Sequence, residues 1–244
     1  MITMNETPVF NAMKARFQAG LKTRILAFGS SNTERLVPGM HWFDVFDLAV
    51  HNTYGCIHAC INSGIGGHSS GDLLNRFEDD AAFYRPHMVF ITVGGNDSNP
   101  ERKMKEEQFT ANLQELQRRF SLMGCAVVFQ TYYAPIKEQH DPEYMLKFYR
   151  FMDIIRHVAA ETKSGLVDHL VRWEHIRKNR PEKHLLLMQD AMHVNRRGNM
   201  VMGLDIARYF DAKLNIPYAN SEYDKEGKNF WDEALEIQKI MDDI

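Results

Sequence analysis

Four short stretches of this sequence carry the residue types that nucleophilic catalysis needs. In Phe28-Gly29-Ser30-Ser31-Asn32-Thr33-Glu34, two adjacent hydroxyls sit in a small-residue turn directly after an apolar run. A hydroxyl there projects near a helix N-terminus whose N–H groups favour developing negative charge, although the same residues also make an ordinary turn and helix cap. In Asn62-Ser63-Gly64-Ile65-Gly66-Gly67-His68-Ser69-Ser70-Gly71, glycines let backbone N–H groups approach a ligand closely. In Val93-Gly94-Gly95-Asn96-Asp97-Ser98, a side-chain amide could donate to an oxyanion, the alternative being a plain type I turn. Late in the chain, Asp190 stands three residues before His193. A carboxylate so placed can bond the imidazole Nδ1–H and leave Nε2 free to take a proton from a hydroxyl. A lone pair of this kind is often only a surface contact. Together the four stretches supply nucleophile, oxyanion donors, orienter and base.

These groups act together only if the fold converges them, and the apolar runs indicate how. Short runs at 24–28, 56–61, 88–93, 126–131 and 165–167 are apolar on both faces, as strands buried between helix layers are. Helical patterns lie between them, at 42–51, 71–83, 107–123, 142–162 and 195–210. In the third, Phe109, Leu113, Leu116 and Phe120 recur with the period of one buried stripe. This alternation predicts an α/β fold with a parallel sheet covered on both faces, whose ligand site lies beyond the carboxyl ends of the strands. Each of the four stretches follows a predicted strand or precedes the last long helix.

With 244 residues, 29 Lys+Arg against 32 Asp+Glu, and 44% hydrophobic content, the chain reads as globular. The near-zero charge argues against a nucleic-acid partner, and no run is apolar for long enough to span a bilayer. Three scattered cysteines and the lack of a signal-peptide pattern lead us to expect a cytoplasmic protein. No linker divides the chain, so a single domain over 1–244 is expected, with a core of about 22–214. Helices at 8–21 and 228–244 would be extensions, and the stripe Phe230, Ala234, Ile237, Met241 and Ile244 would pack on the domain or serve a homo-oligomer.

The four stretches, in this order and at these separations, resemble the SGNH hydrolases, also called GDSL esterases/lipases, from Ile25 to about Phe210. The resemblance implies a three-layer α/β/α sandwich around a five-stranded, mostly parallel sheet, flavodoxin-like in topology, with neither cofactor nor metal. The family's G-D-S-x-T block falls on Gly29 to Thr33, making Ser31 the nucleophile and leaving Ser30 where the family has Asp. The second block makes Gly67 an oxyanion donor, the G-x-N-D block makes Asn96 another, and D-x-x-H is Asp190 to His193. Spacing to Thr33 selects Ser31 over Ser30, and successive residues at a strand end point to opposite sides.

The blocks look most like those of carbohydrate acetylesterases such as acetylxylan esterases, so a small-molecule or oligosaccharide ester is the expected substrate. The alternatives are a thioesterase or lysophospholipase with a longer acyl pocket, or a non-catalytic carbohydrate- or partner-binding member of the fold. Candidate substrate contacts are His68, Asn99, Tyr132, Tyr133, Met188 and Met192; the two tyrosines are equally compatible with packing. Gly64 and Gly66 begin a dinucleotide-loop pattern, but its third glycine is Ser69 and no acidic residue closes the next strand. Cys56, His58 and Cys60 share one strand face, yet nothing nearby in sequence supplies the fourth ligand zinc would want. Arg172, Arg177, Lys178, Arg180 and Lys183 read as a solvated helix face.

Overall fold

A computed structural model describes residues 7–36, 40–214 and 225–242. Five strands, β1 (Thr23–Gly29), β2 (His58–Gly64), β3 (Met88–Thr92), β4 (Ala126–Gln130) and β5 (Gly165–Val167), form one sheet in the order β2-β1-β3-β4-β5. Every pairing is parallel. The order reverses between β1 and β3, which opens a crevice at their carboxyl ends where ligands of such sheets bind. β1 and β3 are buried nearly throughout, as their two-faced apolar runs require. β2 differs from expectation: it starts at His58 rather than Cys56 and is only half buried, because it is an edge strand.

Helices cover both faces. On one lie α1 (Pro8–Gln18), α2 (Trp42–Tyr54) and α9 (Arg196–Arg208). On the other lie α3 (Ser70–Asn75), α4 (Phe77–Asp80), α5 (Glu106–Leu122) and α6 (Pro142–Glu161). The pattern at 71–83 thus breaks into short pieces, and α7 (His169–Asn179) with α8 (Pro181–Leu187) fills the stretch before the acid–base turn. Phe90 meets Trp42, Phe43 and Phe46 edge-on beneath α2, while Phe28 meets Phe120 of α5 on the opposite face. Burial of these rings is the main stabilising term, since each aromatic removes a large apolar area from water.

The terminal helices spend their apolar stripes on this domain. Phe10, Met13 and Phe17 of α1 are buried, with Phe10 and Phe17 both against Phe210. In α10 (Lys225–Asp242), Ala234, Ile237 and Met241 are buried against the domain; Ile244 and the side chain of Phe230 lie outside the described residues. The basic cluster is not simply solvated. Arg172 is largely covered and pairs with buried Asp205 and with Asp242 of α10, Arg177 pairs with Glu174, and Lys183 with Glu236.

Candidate active site

The turn that carries Ser30 and Ser31, the candidate nucleophile turn, follows β1 directly. Ser30 N–H donates to Thr92 O across the sheet, and the N–H groups of Thr33 and Glu34 return to Ser30 O, closing the turn. Ser30 is fully buried, and its Oγ shares a 2.8 Å hydrogen bond with Tyr132 Oη. Where the family's acid would sit, a neutral hydroxyl pair therefore fills the space. Ser31 faces the other way. Its Oγ lies 3.0 Å from His193 Nε2, within range for proton transfer.

The turn carrying His193 is held largely by itself. Asp190 Oδ1 accepts from the N–H of Met192 at 2.8 Å and of His193 at 2.7 Å, and the carboxylate meets His193 Nδ1 at 2.9 Å. Burial acts to raise Asp190, but these two N–H groups and the imidazole outweigh it and hold the carboxyl below its ordinary value. An ionised Asp190 favours the tautomer with the proton on Nδ1, leaving Nε2 as acceptor toward Ser31. Asn195 caps the helix that follows, accepting from the N–H groups of Arg197 and Gly198.

On the far side of Ser31 lie the two glycine-bearing loops. Gly67 has φ +77°, the left-handed region that favours glycine, and its carbonyl accepts from Arg102 at 2.5 Å. Asn96 Nδ2 donates to His68 O at 2.9 Å, which orients the amide and leaves its second N–H available. Within the described residues, the N–H groups of Ser31 and Gly67 make no hydrogen bond. Asp97 explains the acid in G-x-N-D. Its Oδ1 accepts from the N–H of Ser70 at 2.8 Å and from Ser70 Oγ, tying the third loop to the end of the second. Burial pushes Asp97 up despite these bonds.

A pocket of about 220 Å³ opens beside Ser31, lined by Asn32, Glu34, Leu36, His41, Gln189, Asp190 and His193, with Val194 and Asn199. None of the residues expected to touch substrate lines it. Tyr132 and Tyr133 are buried, with rings packed on Phe148 and Trp173. The Tyr133 hydroxyl accepts from Val194 N–H at 3.0 Å and lies 2.6 Å from Asn32 Oδ1 and 2.7 Å from Met192 O. These tyrosines are struts. His68 accepts from Arg76 through Nδ1, Asn99 caps its own turn, Met188 is buried, and Met192 contributes a carbonyl to Tyr133. Glu34, His41 and Gln189 went unread as wall residues; for Glu34 the only signal was its place in the turn of Ser31.

The soft ligands on β2 separate. Cys56 is exposed and lies ahead of the strand, 3.7 Å from His51 Nδ1, while His58 and Cys60 turn toward Asp47 of α2. His58 Nε2 lies 2.6 Å from Asp47 Oδ1, and burial together with this carboxylate pushes the Cys60 thiol up.

Among solved structures the chain resembles an acetyl xylan esterase, AlAXEase, at TM-score 0.66 and 24% identity over 75% of this chain and 97% of that one. It also resembles Axe2, an acetylxylan esterase from Geobacillus stearothermophilus, at TM-score 0.70 and 21% identity over 82% of this chain and 99% of that one. At these identities the likeness is one of fold. Catalytic mutants of Axe2 replace a serine, an aspartate and a histidine by alanine. No curated protein sequence matches the chain. The profile of the GDSL-like lipase/acylhydrolase family, in contrast, matches residues 27–201, and with that match spanning most of the sequence the chain belongs to this family of ester-hydrolysing serine hydrolases.

Proposed function

We propose that the protein, acting as one domain over 1–244, removes acetyl or similarly small acyl groups from sugars or other polyols, with Ser31 as nucleophile. The observation that carries this reading is the relay Ser31 Oγ to His193 Nε2 at 3.0 Å, continued from His193 Nδ1 to Asp190 at 2.9 Å. The residue types replaced in the catalytic mutants of Axe2 are the same three. Free Cys56, Cys60 and Cys125 accord with a cytoplasmic setting.

Ser31 Oγ attacks the ester carbonyl as His193 Nε2 takes its proton. The oxyanion is met by the N–H groups of Gly67 and Ser31 and by Asn96 Nδ2, each such donor being worth about 10²–10³ in kcat. His193 passes its proton to the departing alcohol, leaving an acyl group on Ser31. Water then attacks with His193 again as base, and the acid leaves as Ser31 regains its proton.

The test is hydrolysis of p-nitrophenyl acetate, butyrate and octanoate by the wild type, Ser31→Ala and Ser30→Ala. We expect acetate to be preferred, with Ser31→Ala losing about 10⁴-fold or more in kcat. Activity that survives Ser31→Ala but disappears in Ser30→Ala would move the nucleophile. A preference for octanoate would replace the small-acyl reading.

A further inference from the structure

Glu34 closes the nucleophile turn, its N–H donating to Ser30 O, and it lines the pocket with Ser31, Gln189 and His193. The second loop is shaped around it. A Cβ at Gly64 would collide with the Glu34 backbone, and one at Gly66 would collide with the Glu34 carboxylate. Ser31 Cβ lies 4.0 Å from the same point on Gly66, so carboxylate and nucleophile flank one glycine. Gly64 thus makes room for the backbone of Glu34, and the open side of Gly66 faces its carboxylate.

This carboxylate is half-buried, and among the described residues neither of its oxygens has a hydrogen-bond or ion-pair partner. The nearby cations are engaged elsewhere. Arg35 pairs with Asp44, Arg102 with Asp72, and Arg76 with Asp80 and the carbonyls of Gly29 and Ser63. An ionised carboxylate only accepts hydrogen bonds, and a partly covered one keeps a stronger field than one in open water. A second carboxylate, Asp190, lines the same pocket.

We infer that Glu34 selects the alcohol half of the ester, accepting hydrogen bonds from free hydroxyls of a polyol and rejecting anionic groups. This deepens the proposed function and rests on its placement of the reaction at Ser31. It assigns the substrate class as esters of hydroxyl-bearing alcohols without an anionic group, and it excludes acyl groups carried on phosphate- or carboxylate-bearing alcohols.

The experiment reads binding rather than turnover. Ser31→Ala and Ser31→Ala/Glu34→Gln, both checked for folding by circular dichroism, are titrated by NMR with four acetate esters. Glycerol monoacetate carries free hydroxyls, choline acetate a cation, neohexyl acetate the neutral shape of choline, and acetoxypropanesulfonate an anion. With Glu34 present, the choline ester should outbind the sulfonate by about tenfold or more. The glycerol ester should outbind neohexyl acetate for its size. Glu34→Gln should shrink the charge ratio at least about fivefold. An unchanged ratio in the folded double variant overturns the assignment. Since no catalysis is needed, a wild type inert toward every ester would sink the esterase reading while leaving Glu34 to be judged by these titrations.

Discussion

The two turns that meet at the site are built in opposite ways. Around the nucleophile, Ser30 and Thr33 are fully buried and Asn32 nearly so. Besides the local bonds to Ser30 O, their partners come from other elements: Thr92 O, Tyr132 Oη, and Trp42 Nε1, which donates to Asn32 O at 2.8 Å. Around the base, the Asp190 side chain is 52% exposed and that of His193 34%, and most bonds close within the turn itself, Gln189 N–H to His193 O among them. Tertiary packing does more for the first turn and local hydrogen bonding more for the second, although Ile136 N–H and His140 Nε2 also reach Ala191 O in the base turn. Tyr133 is the strut that touches both, through Asn32 and Val194. A hydroxyl that must attack along one line gains from a rigid seat, whereas an imidazole must accept, hold and return a proton.

The largest effect expected from this contrast is a dissociation of activity from stability. His193→Ala should lose about 10⁴-fold or more in kcat, yet shift the unfolding midpoint little, since the side chain sits at the surface of its own turn. A large loss of stability in that variant would show that the acid–base turn is not locally self-sufficient. Next comes the strut. Tyr133→Phe strands the Val194 N–H and the Asn32 side chain, and should cost about 1–3 kcal/mol by denaturant titration, with a drop in kcat as Ser31 and His193 lose register. Wild-type stability and activity in this variant would mean that the two turns are independent.

A smaller effect concerns acid. His41, which caps α2 and faces Asn32 O, is lowered from 6.5 to about 4, chiefly by burial, with the Asn32 hydrogen bond opposing and Arg35 assisting. A depressed group contributes stability above its unfolded value and loses it as pH falls through that value. Between about pH 7 and 5.5 this loss should come to about 1 kcal/mol. His41→Asn retains a cap acceptor and should show a correspondingly shallower slope over that window. His184, also lowered by burial, adds to both slopes and cancels in the difference. An identical slope would place His41 outside the buried frame of the nucleophile turn. Least of all, Arg102→Ala, which frees Gly67 O from an exposed cation, should change stability by less than about 0.5 kcal/mol. Any larger change would make the glycine loop as dependent on distant anchors as the nucleophile turn is.

How much of this was legible in the sequence follows the same division. Ser31, Gly67, Asn96, Asp190 and His193 could be proposed from the sequence because each lies in a short stretch whose residue types and spacing survive without the fold. The strands and long helices were readable from apolar periodicity, and β2 misled by two residues because an edge strand does not need two apolar faces. Tyr132 and Tyr133 read from the sequence either as sugar contacts or as packing; their contacts with Phe148 and Trp173 decide for packing. Asp47 joins His58 and Cys60 from a separate helix, a convergence that spacing along the chain cannot reveal.

The sequence by itself determined the alternating elements and the short stretches that hold the proposed reaction groups, Ser31 among them, since all of these depend on neighbours within a few residues. The tertiary structure alone decided which residues wall the pocket, which polar groups are struts, and where Glu34 points. Those depend on segments far apart in the chain meeting at one sheet edge. There, burial and unpaired polar groups, rather than residue type, decide what each side chain can do.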